Sequence, residues 1–291
     1  MKSALSLIAW FIWVLLAGSD YCQIHWETAL ILFAAWVLVP EGLALLKIEP
    51  SLSYFATVLF LSVSYRLEQP YGAWMAAPYV LFALWLTIRE AARLLEIAVI
   101  RLTDVVRVAA LAYWATGALF ALFSLAGWQT LGFDPAIVAL TAAHFHVAGF
   151  VLTSVVYCMS VAVPGTYTGI LGWTSIAGMP AVATGIVLTH FGYPSVFEEV
   201  SALFFVVFAV SIVVWHVVRA RDRRFPRASR RLWLAGAVCL LAGITLACLY
   251  ALRFQVLIEW INIPNMKIWH GTLNTLGFAW LTLLGWRLNT H

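Results

Sequence analysis

Apolar runs broken by charge or by Pro and Gly divide the chain into ten stretches, at about 4–17, 28–46, 51–65, 71–88, 104–126, 136–162, 169–190, 197–218, 232–252 and 266–286. A helix that crosses the hydrocarbon core needs about 20 mostly apolar residues. The pattern therefore predicts an all-α fold, a polytopic transmembrane helix bundle of about ten spans forming a single transmembrane domain over 1–291. Two stretches leave the count open. The first is short, with Lys2 ahead of it and Ala17-Gly18-Ser19 behind it, so a cleaved signal peptide competes with a retained span. Residues 51–65 are also short for a span and compete as a re-entrant segment, and either alternative gives nine.

Composition agrees with the pattern. Of 291 residues, 64% are hydrophobic and 10% charged, where a soluble domain runs at roughly half and a quarter. Little chain is left for a soluble domain. The net charge of +4 carries less information than its distribution. With the N-terminus inside, Lys2, Lys47, Arg89, Arg93, Arg101, Arg107, the seven arginines of 219–231 and Arg287 are cytoplasmic, which is 14 of 17 basic residues; Arg66, Arg253 and Lys267 lie outside. This bias orients the ten-span arrangement with both termini cytoplasmic. The run Arg219–Arg231 reads as a topology determinant that also meets anionic headgroups, and nothing else in the chain points to nucleic acid. The four cysteines, Cys22, Cys158, Cys239 and Cys248, have no paired metal spacing and predict no disulfide framework.

Ionisable residues inside apolar helices are expensive, about 2.5 to 3.5 kcal/mol each even on the permissive insertion scale, so each calls for a partner, a cavity or a function. His144 and His146 fall roughly 12 to 15 Å into the sixth span at about 1.5 Å per residue. His270 and Asn274 fall in the outer half of the tenth. His190 ends the seventh span on the outer side and Glu198 and Glu199 begin the eighth there. Spans after residue 127 therefore send His, Glu and Asn to one membrane level, which predicts a functional pocket in the outer half of the C-terminal part. His144 and His146 differ by about 200° around an α-helix, so their imidazoles face different neighbours and cannot chelate one metal without distortion. His270 and Asn274, four apart, share a face. In the N-terminal half, Glu90 and Arg93 stand at contact spacing and read as an ion-pair strip. Glu41, after Pro40, is paired, protonated or part of a conduction path. His216, beside Trp215, reads as an interfacial residue.

The stretch Thr141-Ala142-Ala143-His144-Phe145-His146-Val147-Ala148-Gly149-Phe150, with Trp269-His270-Gly271-Thr272-Leu273-Asn274-Thr275-Leu276-Gly277-Phe278 far downstream, resembles the YndJ-like family of bacterial membrane proteins, chiefly over the last 160 residues. The resemblance implies a bacterial cytoplasmic (inner) membrane protein and no particular reaction. His144-Phe145-His146 is also similar to subunit I of heme-copper oxidases, where such a pair serves two hemes. The histidines needed to complete two hemes and a copper are missing, which excludes a full oxidase and leaves open one heme held by a span-six histidine and His270.

Three functions follow as expectations. The first is a membrane-embedded enzyme that isomerises, cyclises or hydrolyses a hydrophobic, lipid-like small molecule by acid-base or metal-assisted chemistry, with His144, His146, His270, Asn274, Glu198 and Glu199 as catalytic candidates. The second is a heme- or metal-binding redox or sensor protein, with His144, His146 and His270 as ligands should a metal or heme be present. The third is a transporter, for which inverted repeats and matched broken helices are lacking.

Overall fold

The computed structural model describes residues 2–256 and 258–289, and among these every regular element is helical. We number the helices α1 (Lys2–Ala17), α2 (Ser19–Ile24), α3 (Trp26–Leu45), α4 (Leu52–Ser64), α5 (Tyr71–Leu94), α6 (Leu102–Leu125), α7 (Pro135–Ala162), α8 (Thr166–His190), α9 (Val196–Arg219), α10 (Arg227–Ala251) and α11 (263–287). All ten apolar stretches form helices, with α2 as a short addition. Seven of them, α3 and α5 to α10, are long and apolar enough to cross a membrane, and α1 and α4 are shorter apolar helices. The protein is an all-α membrane protein.

Helix ends follow local chemistry. Ser51 Oγ accepts from Tyr54 N–H (3.3 Å), Asp134 Oδ1 from Ala136 N–H (2.8 Å) and Asn262 Oδ1 from Asn265 N–H (3.0 Å), capping α4, α7 and α11. In α7 and α11 a proline in the first turn removes an amide that would have no intrahelical partner. Three helices carry π-helical turns: Ala34–Leu38 in α3, Phe145–Val151 in α7 and Leu273–Ala279 in α11.

The chain divides into two compact units, 1–154 and 155–291, with the boundary inside α7. In the first unit α4, α5 and α6 pack in sequence, and the first part of α7 lies on α3 and α6. Its core holds Phe33, Tyr54, Tyr79, Trp114 and Phe150, all fully buried. In the second unit α8, α9, α10 and α11 pack in sequence. Its core at the arginine-rich end is a cage in which Trp215, Trp233 and Trp286 surround His216, with Trp233 and Trp286 centroids 4.7 Å apart. His216 is completely buried, so protein rather than headgroups surrounds it, which corrects the interfacial reading.

The ion-pair strip is a compact cluster on one carboxylate. Glu90 Oε1 accepts from Arg89 (2.8 Å) and Arg93 (2.6 Å), and Oε2 from Arg107 Nη2 (2.7 Å). Arg107 comes from α6, so Glu90, whose side chain is 2% exposed, also ties α5 to α6. Substituting Glu90→Gln leaves three guanidinium groups around a neutral amide. A loss of about 3 kcal/mol, the low end for breaking a buried pair because the arginines are partly exposed, is expected in denaturant titrations of the purified protein.

Candidate functional site

Each of the two motif-bearing stretches builds a polar site within its own unit. In the first, the π-helical turn of α7 begins between the two histidines. His144 lies on an exposed face, its ring 2.8 Å from the carbonyl of Leu140 one turn back. His146 is fully buried. The pair therefore faces two different environments.

The bonds of His146 determine its tautomer. Its Nδ1 is 2.8 Å from the carbonyl oxygen of Ala142, which only accepts, so Nδ1 carries the proton. Nε2 then accepts from Tyr79 O–H (3.0 Å), and Tyr79 Oη accepts from Trp114 Nε1–H (2.8 Å). The Tyr79 and His146 rings lie 6.0 Å apart with an interplanar angle of 10°. Trp114, Tyr79, His146 and Ala142 thus form one closed chain of hydrogen bonds across α5, α6 and α7. Tyr54 O–H, beside Tyr79, donates to the carbonyl of Ala35 in the π-helical turn of α3.

Glycine admits this chain. A Cβ at Gly117 would lie 2.6 Å from His146 Nδ1, so a side chain there would displace the ring. The remaining motif residues pack: Gly149 lies against Tyr113, and Phe150 against Trp114 and Gly42.

In the second unit His270 and Asn274 stand one turn apart on α11, both half-buried. His270 Nδ1 is 2.8 Å from the carbonyl of Gly243 on α10 and donates to it, which puts the imidazole lone pair on Nε2. Asn274 Nδ2 donates to the carbonyl of His270 (2.8 Å); its 3.2 Å approach to Nδ1 sets two donors face to face and is no hydrogen bond. A Cβ at Gly243 would lie 2.7 Å from Asn274 Nδ2, so the missing side chain of Gly243 is what lets the amide in. Gly277 meets Cys239 in the same way, and Phe278 is buried.

The glutamates of α9 are engaged. Glu198, buried, accepts from Arg253 Nη2 (2.8 Å), and that guanidinium lies over Tyr250 and Phe254 at 4.2 and 4.1 Å. Glu199 accepts from Ser195 Oγ (2.9 Å) and Gln255 Nε2 (3.2 Å). They tie α9 to the segment after α10. His190 is exposed at the end of α8, and Glu41 is buried in α3.

The model of the family described as YndJ-like protein matches residues 29–278. The chain belongs to this family. The match takes in His144, His146, His270 and Asn274 and reaches far beyond the last 160 residues, into α3. No curated protein and no solved structure matches the chain. Both stretches that carry the YndJ-like resemblance coincide with π-helical turns, which occur often at functional sites.

Sequence reasoning missed Tyr79, Trp114, Gly117 and Gly243, and placed Arg253 among the outer basic residues without pairing it with Glu198. Among the described residues no three His, Cys, Asp or Glu side chains gather in a group suited to a metal ion. Both nitrogens of His146 are engaged by protein, so in this arrangement it presents neither to a metal.

Tyr79→Phe keeps the ring beside His146 and removes only the hydroxyl. Trp114 Nε1–H and His146 Nε2 each lose a partner, at about 1 to 3 kcal/mol for each buried polar group. The expected result is a lowered thermal midpoint for purified Tyr79→Phe protein, while Tyr71→Phe, on an exposed residue at the start of α5, leaves the midpoint unchanged.

Proposed function

We propose that this protein is a membrane-embedded enzyme that performs acid-base chemistry on a hydrophobic, lipid-like molecule, with His270 as the proton-transferring group and Asn274 as its positioning partner. The observation that carries the proposal is the bond from His270 Nδ1–H to the Gly243 carbonyl. It holds one tautomer and directs the basic lone pair through Nε2, as general-base catalysis requires. Asn274 braces the same turn. A half-buried imidazole in the outer half of an apolar helix suits a substrate arriving from the lipid, and isomerisation, cyclisation and hydrolysis all use such a base. The closed Tyr79–His146 chain fits a positioning role better than a catalytic one. Glu198, held by Arg253, fits an electrostatic role.

The same bond favours a second reading, a heme- or metal-binding redox or sensor protein, because a ligating histidine usually donates its other ring N–H to a carbonyl or carboxylate. His270 would supply one ligand through Nε2. A visible spectrum and metal analysis of the purified protein separate the readings: a Soret band or one bound metal per chain that disappears in His270→Ala selects the second. For the enzyme, total lipid extracts of cells with and without the protein are compared by mass spectrometry. A product lost by roughly 10²- to 10⁴-fold in His270→Ala, and reduced less in Asn274→Ala, is expected; product formation unchanged in folded His270→Ala overturns the assignment.

We further propose an inner-membrane, multi-pass arrangement with both termini cytoplasmic, supported by the arginine distribution. Cysteine introduced at Arg223 is expected to react with a membrane-impermeant maleimide only after the cells are opened; labelling in intact cells reverses the orientation.

A further inference from the structure

A cavity of about 370 Å³ lies at the arginine-rich end of the second unit, where α8 begins and α9 ends. Val163, Pro164, Val214 and Val218 give it apolar walls, and Trp215 and Arg219 also line it. Trp215 is stacked on Trp286 at 5.6 Å. Arg219 supplies the cationic group: its guanidinium carbon is 5.8 Å from the Trp215 ring, and its Nε is buried with no hydrogen-bond partner in the protein.

Arg219 shares its nearest acid with a second arginine, so one carboxylate faces two guanidinium groups. Asp222 is gripped by Arg224, with Nη2 to Oδ2 at 2.7 Å and Nε to Oδ1 at 3.1 Å, and these bonds hold its carboxyl down at about 2. Its approach to Arg219 is looser, 3.5 Å. The loop after α9 and the start of α10 add Arg221, Arg223, Arg227, Arg230 and Arg231 against the single acid Asp222, so positive charge is in excess in the segment that follows Arg219. The first turn of α8, residues 166–168, also lines the cavity and has no side-chain cap, which adds the positive end of that helix to the same place.

We propose that this cavity is a specific binding site for one anionic phospholipid, its phosphate held by Arg219 and the upper part of one acyl chain lodged against Val163, Pro164 and Val214. The volume is too small for a whole lipid, which suits a site where only the region around the glycerol enters and the chains continue along the helices. Apolar walls closed by a cationic rim match this amphiphile at both ends. A free inorganic anion would make no use of the valines. A neutral zwitterionic lipid would bring a choline group into positive surroundings.

Two variants test the two halves of the fit. Arg219→Gln removes the charge. Gly165→Trp fills the space, since a Cβ at Gly165 meets nothing within 4 Å and its φ of 166° is ordinary extended backbone. Purified full-length protein is mixed in detergent with equal amounts of phosphatidylglycerol and phosphatidylcholine and examined by native mass spectrometry. Wild-type protein is expected to retain one phosphatidylglycerol with at least roughly tenfold preference, the scale of a charge-assisted hydrogen bond. Arg219→Gln is expected to remove the preference, Gly165→Trp to remove the retained lipid, and Arg223→Gln, on the exposed loop, to change neither. Equal retention of the two lipids by wild-type protein overturns the site. So does unchanged retention in folded Arg219→Gln. An equal loss in Arg223→Gln assigns the effect to diffuse attraction by the arginine run and overturns it as well.

Discussion

Inside an apolar slab a polar atom has no water to turn to, and the arrangement of this chain depends on that one constraint. It makes the backbone helical, because only a helix pairs its own amides and carbonyls. It also governs the few polar side chains that the helices carry. His144, His146 and His216 each turn Nδ1 to a carbonyl one turn back on their own helix, and His270 uses a carbonyl of the neighbouring helix. Glu90 and Glu198, both buried, are each met by arginine. Polar groups in such a place are held rigidly, because releasing them costs the full desolvation penalty.

That rigidity bears on chemistry differently in the two units. His146 has both ring nitrogens committed, and its hydrogen-bond chain through Tyr79 and Trp114 fastens three helices together. His270 donates through Nδ1 to a carbonyl of the neighbouring helix and lies on a half-buried face. An enclosed, fully bonded imidazole orients and supports, whereas one locked in a single tautomer on an accessible face can exchange a proton or bind a ligand. The family motif thus combines a structural half and a candidate chemical half. Glycines accompany both, Gly117 under the ring of His146 and Gly243 under the amide of Asn274, because backbone must come within side-chain distance for these bonds to form.

Much of this was legible in the linear pattern. Apolar run length located all ten principal helices, since the hydrocarbon thickness sets how long a span must be. The 3.6-residue period separated His144 from His146 and joined His270 to Asn274, and both relations hold between residues on one helix. The ion pairing of Glu90 with Arg93 was read from the same period. Its third guanidinium, Arg107, was not, because it belongs to another helix.

The sequence by itself determined the class of fold, the helices and the faces on which the polar residues stand, because each depends on local periodicity and on transfer free energy. The tertiary structure alone decided which groups those faces meet: Tyr79 for His146, Gly243 for His270, Arg253 for Glu198, and a tryptophan cage for His216. Such pairings are set by the rotation and vertical offset of one helix against the next. The π-helical turns at Phe145–Val151 and Leu273–Ala279 shift that rotation without any mark in the hydrophobic pattern. A period of 3.6 residues says which side of a helix is polar, and only packing says what lies opposite.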